Sequence, residues 1–279
     1  MKNKNEFYIG WQNEMPAKTK SFLRKYVIII AIVVAGLAVL AVSQQKPYND
    51  YVFEFGNVKN ITGTYYNYPM PLLIADDGML EEGLSNSILL IGLGKHGAEE
   101  TMAKIQEKVG SLDGKKVTLS GSLIYGNGKT AMELTLMEES LVKIESKTVN
   151  KQKEPIASNE IQLTGEILDS KCYFGVMKPA VGKVHKSCAI RCISGGMPPV
   201  FKTSDESKYY LILDQDGNKM NEQLLPYIAE QLAVNGKTAT FMGWDILYLN
   251  LKGLPYESYK LSELCSKQTL TNISITYEK

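Results

Sequence analysis

The sequence predicts a mainly β protein: an N-terminal transmembrane helix followed by two tandem five-stranded barrels, each carrying one helix. Three observations lead there. One is an uninterrupted apolar run near the start, another a weak internal repeat through the remainder of the chain, and the third the order within each repeat unit, three strands, a helix and two strands.

The apolar run is Tyr26 to Val42, YVIIIAIVVAGLAVLAV, without a charged residue, an amide or a proline. At 1.5 Å per residue a helix of this length nearly crosses a ~30 Å hydrocarbon core. It is apolar all round, so a buried amphipathic helix is set aside. Lys2, Lys4, Lys18, Lys20, Arg24 and Lys25 precede it against only Glu6 and Glu14. The positive-inside bias then makes residues 1–25 a cytoplasmic tail, 26–43 a signal anchor, and everything after it extracytoplasmic, periplasmic in a two-membrane cell. Ala41-Val42-Ser43 has the small residues of a signal-peptidase site, but the long charged region ahead of the run favours an uncleaved single-pass anchor in the cytoplasmic membrane.

The first repeat unit is placed at 50–147 and the second at 160–279, joined by a polar linker, 148–159, that lacks periodicity. Asn60-Ile-Thr-Gly63-Thr64 and Gln162-Leu-Thr-Gly165-Glu166 open the first strands. The proline-apolar runs Pro69 to Ile74 and Pro198 to Lys202 follow, and then the short β-type runs Ser87 to Ile91 and Tyr209 to Leu213. Helix-compatible stretches come next, Ala98 to Val109 and Asn221 to Leu232. Gly114-Lys115 with Gly121 aligns with Gly236-Lys237 and Gly243, and Thr130 to Leu136 with Asp245 to Leu251. This element order is that of the OB-fold, a partly open five-stranded barrel.

The two units differ in one place. Gly63 to Gly114 spans 51 positions and Gly165 to Gly236 spans 71, and the excess falls between the first and second strands of the second unit, at 169–199. That insertion holds Cys172, Cys188 and Cys192, three of four cysteines, and His185, one of two histidines. In an OB barrel this loop borders the usual ligand face, and loops on a rigid scaffold are where function is grafted. A short helix fits between Pro179 and Gly195. On it His185, Cys188 and Cys192 stand at i, i+3 and i+7, within an arc of about 60°.

With Cys172 delivered by the preceding loop, these four form a candidate ligand set for zinc, copper or iron. Two other readings stand beside it. In an oxidising compartment Cys172 can pair with Cys188 or Cys192 and the remaining thiol with Cys265, four cysteines allowing three connectivities. Alternatively, Cys188 and Cys192 form a redox-active pair, although dithiol catalysts favour Cys-x-x-Cys over the Cys-x3-Cys found here. Lys171, Lys178, Lys183, Lys186 and Arg191 crowd the same segment without an acidic residue, which would lower thiol pKa values and attract an anionic partner.

Other classes are excluded or left without support. A formal net charge of +1 argues against a nucleic-acid-coating protein. Tyr173 and Phe174 would suit base stacking, but the extracytoplasmic placement removes nucleic acid as a partner. Gly92-Leu-Gly-Lys-His96-Gly97 lacks the Gly-Lys-Ser/Thr ending of a phosphate loop and reads as a tight turn. The chain has no nucleophile elbow, zincin helix or Ser/His/Asp arrangement, so no catalytic residue and no organic cofactor is assigned.

The stretch GEILDSKCYFGVMKP…GKVHKSCAIRCISGGMPPV, Gly165 to Val200, resembles a segment of membrane-anchored exported bacterial proteins whose genes lie near respiratory electron-transfer components. The resemblance implies an extracytoplasmic location and a redox context, with Cys172, His185, Cys188 and Cys192 as the motif positions. The expectation is a membrane-anchored accessory or binding protein, associated with a membrane redox complex, whose Cys/His loop is stabilised by a metal or a disulfide. The alternative is a thiol-redox or metal-dependent oxidoreductase using Cys188 and Cys192; the non-enzymatic role is preferred.

Overall fold

A computed structural model describes residues 15–45, 51–148, 155 and 160–251. Most of the expected tail, most of the linker, Cys265 and the chain after 251 lie outside the described residues. The chain divides into two units, Met1–Tyr48 and Asn49–Lys279.

In the first unit, helix α1 runs Ala17–Ser43. It begins nine residues ahead of the apolar run because Ala17 to Lys25 contains no glycine or proline and is rich in good helix formers, and Pro16 stands just before it. None of its residues is buried, and its mean hydropathy makes it one helix long and apolar enough to cross a membrane, as an anchor or as a signal sequence.

The second unit contains two closed five-stranded barrels. The first is built from β1 (Val52–Tyr66), β2 (Leu72–Ala75), β3 (Ser87–Ile91), α2 (Glu99–Val109), β4 (Lys115–Gly126) and β5 (Lys129–Leu134). The strands follow the order β1-β2-β3-β5-β4, closed by β4 against β1, and β3 runs parallel to β5. β6 (Leu141–Thr148) adds to the edge of β4 that extends beyond β5.

The second barrel uses β7 (Glu160–Asp169), β8 (Pro199–Thr203), β9 (Tyr209–Asp214), β10 (Leu232–Phe241) and β11 (Trp244–Asn250), closed in the same order. Its helix α4 is only Asn221–Leu224, followed by a 3-10 turn at Leu225–Tyr227. The expected helix to Leu232 is corrected here: Pro226 stands in that turn, and Leu232 already belongs to β10.

The register explains a second correction. Gly121 faces Lys59 and Leu134, while Gly236 faces Ile161 and Leu249. Lys59 and Ile161 each lie four residues before the matched glycines Gly63 and Gly165, so the structural counterpart of Gly236 is Gly121, not Gly114. The alignment of the fourth strands slips by seven residues because the second barrel has the shorter helix. The packing agrees, since a Cβ would lie 2.4 Å from the Glu133 carbonyl oxygen at Gly121 and 2.5 Å from that of Tyr248 at Gly236. Gly63 faces Ala75 twelve positions on, whereas Gly165 faces Thr203 thirty-eight positions on, so the insertion is longer than the slipped alignment implied.

Three apolar clusters account for the strand composition. One fills the first barrel with Leu73, Ile88, Leu90, Leu123 and Met132, and another fills the second with Phe201, Ile212, Leu247 and Leu249. The third takes the alternate residues of the same strands and joins the two barrels. In it the cross-strand row Leu72, Leu89, Ala131 and Ile124 of the first barrel meets the equivalent row Val200, Leu211, Ile246 and Ala239 of the second. These strands are apolar on both faces because both faces are covered.

Candidate functional site

β7 carries the site. Its last residues are buried, and at Asp169 the chain leaves the sheet into a π-helical turn, Cys172–Val176, where the sequence pattern predicts only a loop. The Cys172 backbone N–H donates to Asp169 Oδ1 at 2.9 Å, tying the turn to the strand end. Tyr173 and Phe174 then enter the core between the barrels, where Phe174 meets Trp244 and Tyr209 at ring centroid distances of 5.7 and 5.4 Å. Those rings fix Cys172 at the junction.

The second arm is α3 (Lys186–Ser194), with His185 at its N-cap position and its carbonyl accepting from the Cys188 and Ala189 N–H groups at 3.0 Å. Ala189 and Ile193 pack into the second barrel's core, which leaves Cys188 and Cys192 on the face toward Cys172. The helix stops at Gly195-Gly196, where the backbone of the first barrel's Gly92–Gly97 turn lies against it. Gly97 N–H donates to the Gly195 carbonyl at 2.9 Å, and a Cβ on Gly195 would lie 2.1 Å from the Lys95 carbonyl oxygen. The turn expected at Gly92–Gly97 is therefore a docking element, and glycine is what permits the approach.

The four expected ligands are brought together in two overlapping triads. Ligand atoms of Cys172, His185 and Cys188 lie within 4.8 Å of one another, and so do those of Asp169, Cys172 and Cys192. Cys172, Cys192 and His185 are buried, and Cys188 is half-buried. All three cysteines are free thiols in this structure. His185 Nε2 lies 2.8 Å from Asp169 Oδ2, while His185 Nδ1 is buried and has no hydrogen-bond partner among the described residues.

Two residues completing the site were not singled out from the sequence. Asp169 heads the inserted segment, and its place three residues before Cys172 was the one signal that pointed to it. Lys95, from the first barrel, donates to Cys188 Sγ at 3.4 Å, and nothing in the sequence marks a partner 93 positions away.

Four of the segment's own cations turn elsewhere. Lys171 pairs with Glu133 of the first barrel and donates to the Gly94 carbonyl at 2.7 Å, Lys183 and Lys186 pair with Glu230, and Lys178 donates to the Tyr51 carbonyl. The cation hydrogen-bonded to a site thiol is Lys95, from the first barrel. The hydrogen bond to Cys188 holds the Lys95 ammonium above its ordinary pKa. A hydrogen bond from the Cys172 thiol holds Cys192 low, and the same bond, with burial and the Asp169 carboxylate, pushes Cys172 up.

Three sulfurs and an imidazole nitrogen make a donor set for a thiophilic or borderline ion. On oxidation the same thiols could instead pair. Comparison with protein-family models, curated proteins and solved structures finds no match for this chain.

Proposed function

We propose that this chain is a membrane-anchored, extracytoplasmic accessory protein of a redox assembly, and that its insertion holds one thiophilic metal ion, zinc, copper or iron, through Cys172, His185, Cys188 and Cys192. The observation that carries the reading is the buried Nδ1 of His185, without a partner among the described residues, beside free thiols. A buried polar atom left without a partner is costly, and a metal ion supplies the missing one. α1 and the basic residues ahead of its apolar run support the anchor and its orientation. The resemblance of Gly165 to Val200 supports the redox context. A second reading, a thiol oxidoreductase, draws support from the half-buried Cys188 with Lys95 beside it.

Elemental analysis and thiol counting on the full chain, purified in detergent from membranes, test this. The expected result is one equivalent of zinc, copper or iron per chain, lost in His185→Ala and Cys172→Ser. A metal-free chain with its thiols paired as disulfides would sink the metal reading, and rapid exchange with a small-molecule disulfide, abolished in Cys188→Ser, would favour the oxidoreductase.

A further inference from the structure

Asp169 is fully buried, and both of its oxygens are engaged: Oδ1 accepts from the Cys172 backbone N–H at 2.9 Å and Oδ2 lies 2.8 Å from His185 Nε2. If the Asp169 carboxylate is ionised it only accepts hydrogen bonds, which would place the proton of that contact on Nε2. A neutral imidazole protonated there presents a bare lone pair at Nδ1, the nitrogen that lacks a partner. One nitrogen of this ring lies within 4.8 Å of the Cys172 and Cys188 sulfurs, and with Nε2 committed to Asp169, Nδ1 is the nitrogen left for an ion.

A second, independent observation concerns charge. Among the described residues the ion-pair partner of Asp169 is His185, which is charged only when protonated, and the sulfurs of Cys172 and Cys192 lie within 4.8 Å of the carboxylate. Buried carboxylates are paired with cations or serve metal sites, and an ion bound at Nδ1 would polarise the Nε2–H facing Asp169 into a stronger donor to it. Imidazoles that ligate metals characteristically donate their other N–H to a carboxylate, which fixes tautomer and ring orientation.

We infer that Asp169 is the positioning residue of this centre: its carboxylate holds His185 in the Nε2–H tautomer, so that Nδ1 faces the ion, and pins the backbone of Cys172, a second ligand. The inference rests on the metal reading above and adds to it which nitrogen binds and which residue aims it.

The test is nitrogen-15 NMR on the full chain in detergent micelles, reduced, metal-free and labelled at histidine. The chain has two histidines, and His96→Gln identifies the His185 signals. The expected wild-type state is Nε2–H with Nδ1 unprotonated, and one equivalent of zinc should move the Nδ1 resonance while Nε2 keeps its proton. In Asp169→Asn zinc affinity should fall about 10- to 100-fold, with mixed tautomers in the metal-free chain; Asp169→Glu should recover part of the loss.

An Nδ1–H or doubly protonated ring in the wild type overturns the inference without any variant having to fold. So does zinc moving Nε2 rather than Nδ1, or unchanged affinity in Asp169→Asn. A wild type that shows the Nε2–H tautomer but binds none of zinc, cuprous copper and ferrous iron overturns the metal reading, and the ligand assignment with it, while leaving the Asp169–His185 orientation as a purely structural fact.

Discussion

Thr203, Asp205 and Ser207 close the turn between β8 and β9, and they show how local a titration can be. The Thr203 hydroxyl donates to Asp205, joined by the Ser207 N–H and hydroxyl, and these bonds hold the Asp205 carboxyl down at about 2. A folded-state value below the unfolded one, ~3.9, means that the contribution is present above that unfolded value and lost as pH falls through about 2. Removing the hydroxyl in Thr203→Val should bring the Asp205 titration back toward the ordinary carboxylate range, read by carbon-13 NMR of the side chain. An unmoved midpoint would show that the hydroxyl is not the cause. All three residues sit within five positions of one another, so this feature is readable as a turn from sequence, whereas the Asp169–His185 bond spans sixteen positions and needed the insertion's fold.

At the scale of elements, the docking of the Gly92–Gly97 turn on α3 depends on a buried ion pair. Lys171 follows β7 and Glu133 lies on β5; each side chain is 7% exposed, and the Gly94 N–H donates to the same carboxylate at 2.8 Å. Deleting one partner strands the other in the interior. Glu133→Ala should therefore destabilise the protein by about 3–5 kcal/mol in denaturant unfolding, whereas the paired apolar replacement Glu133→Leu with Lys171→Met should restore most of that. If the single and double replacements lost the same stability, the pair would not be the reason. Strand positions were legible in the sequence where apolar residues run in short blocks between Gly, Asp or Pro, as at Ser87–Ile91, which the structure reproduces residue for residue. The second barrel's helix is shorter than Asn221 to Leu232 because Pro226, visible in the sequence, breaks the stretch, and because β10 pairs with β7 from Leu232 onward, which the sequence does not show.

For the whole molecule, the shared cluster of equivalent rows makes the two barrels one cooperative body. Leu89→Ala and Leu211→Ala, one in each barrel, should each cost about 2–5 kcal/mol, and both should shift a single unfolding transition. Two separate transitions, each moved by only one of the substitutions, would contradict the joint core. At the same scale, a reporter enzyme fused after Lys279 should be active only outside the cytoplasm. Activity inside would reverse the orientation and remove the oxidising environment the thiols are expected to meet.

The amino-acid sequence by itself determined the apolar span, the twofold repeat with its barrel order, and the segment that carries Cys172, His185, Cys188 and Cys192. Each is a matter of composition, period or spacing within a short window, and such patterns survive without knowledge of neighbours. Only the tertiary structure decided which fourth strands correspond, that Lys95 of the first barrel reaches a site thiol in the second while Glu133 pairs with Lys171 beside it, and that Asp169 lies against the His185 ring. Those facts depend on closing two barrels and packing one against the other, which brings together residues tens of positions apart whose encounter no local pattern encodes.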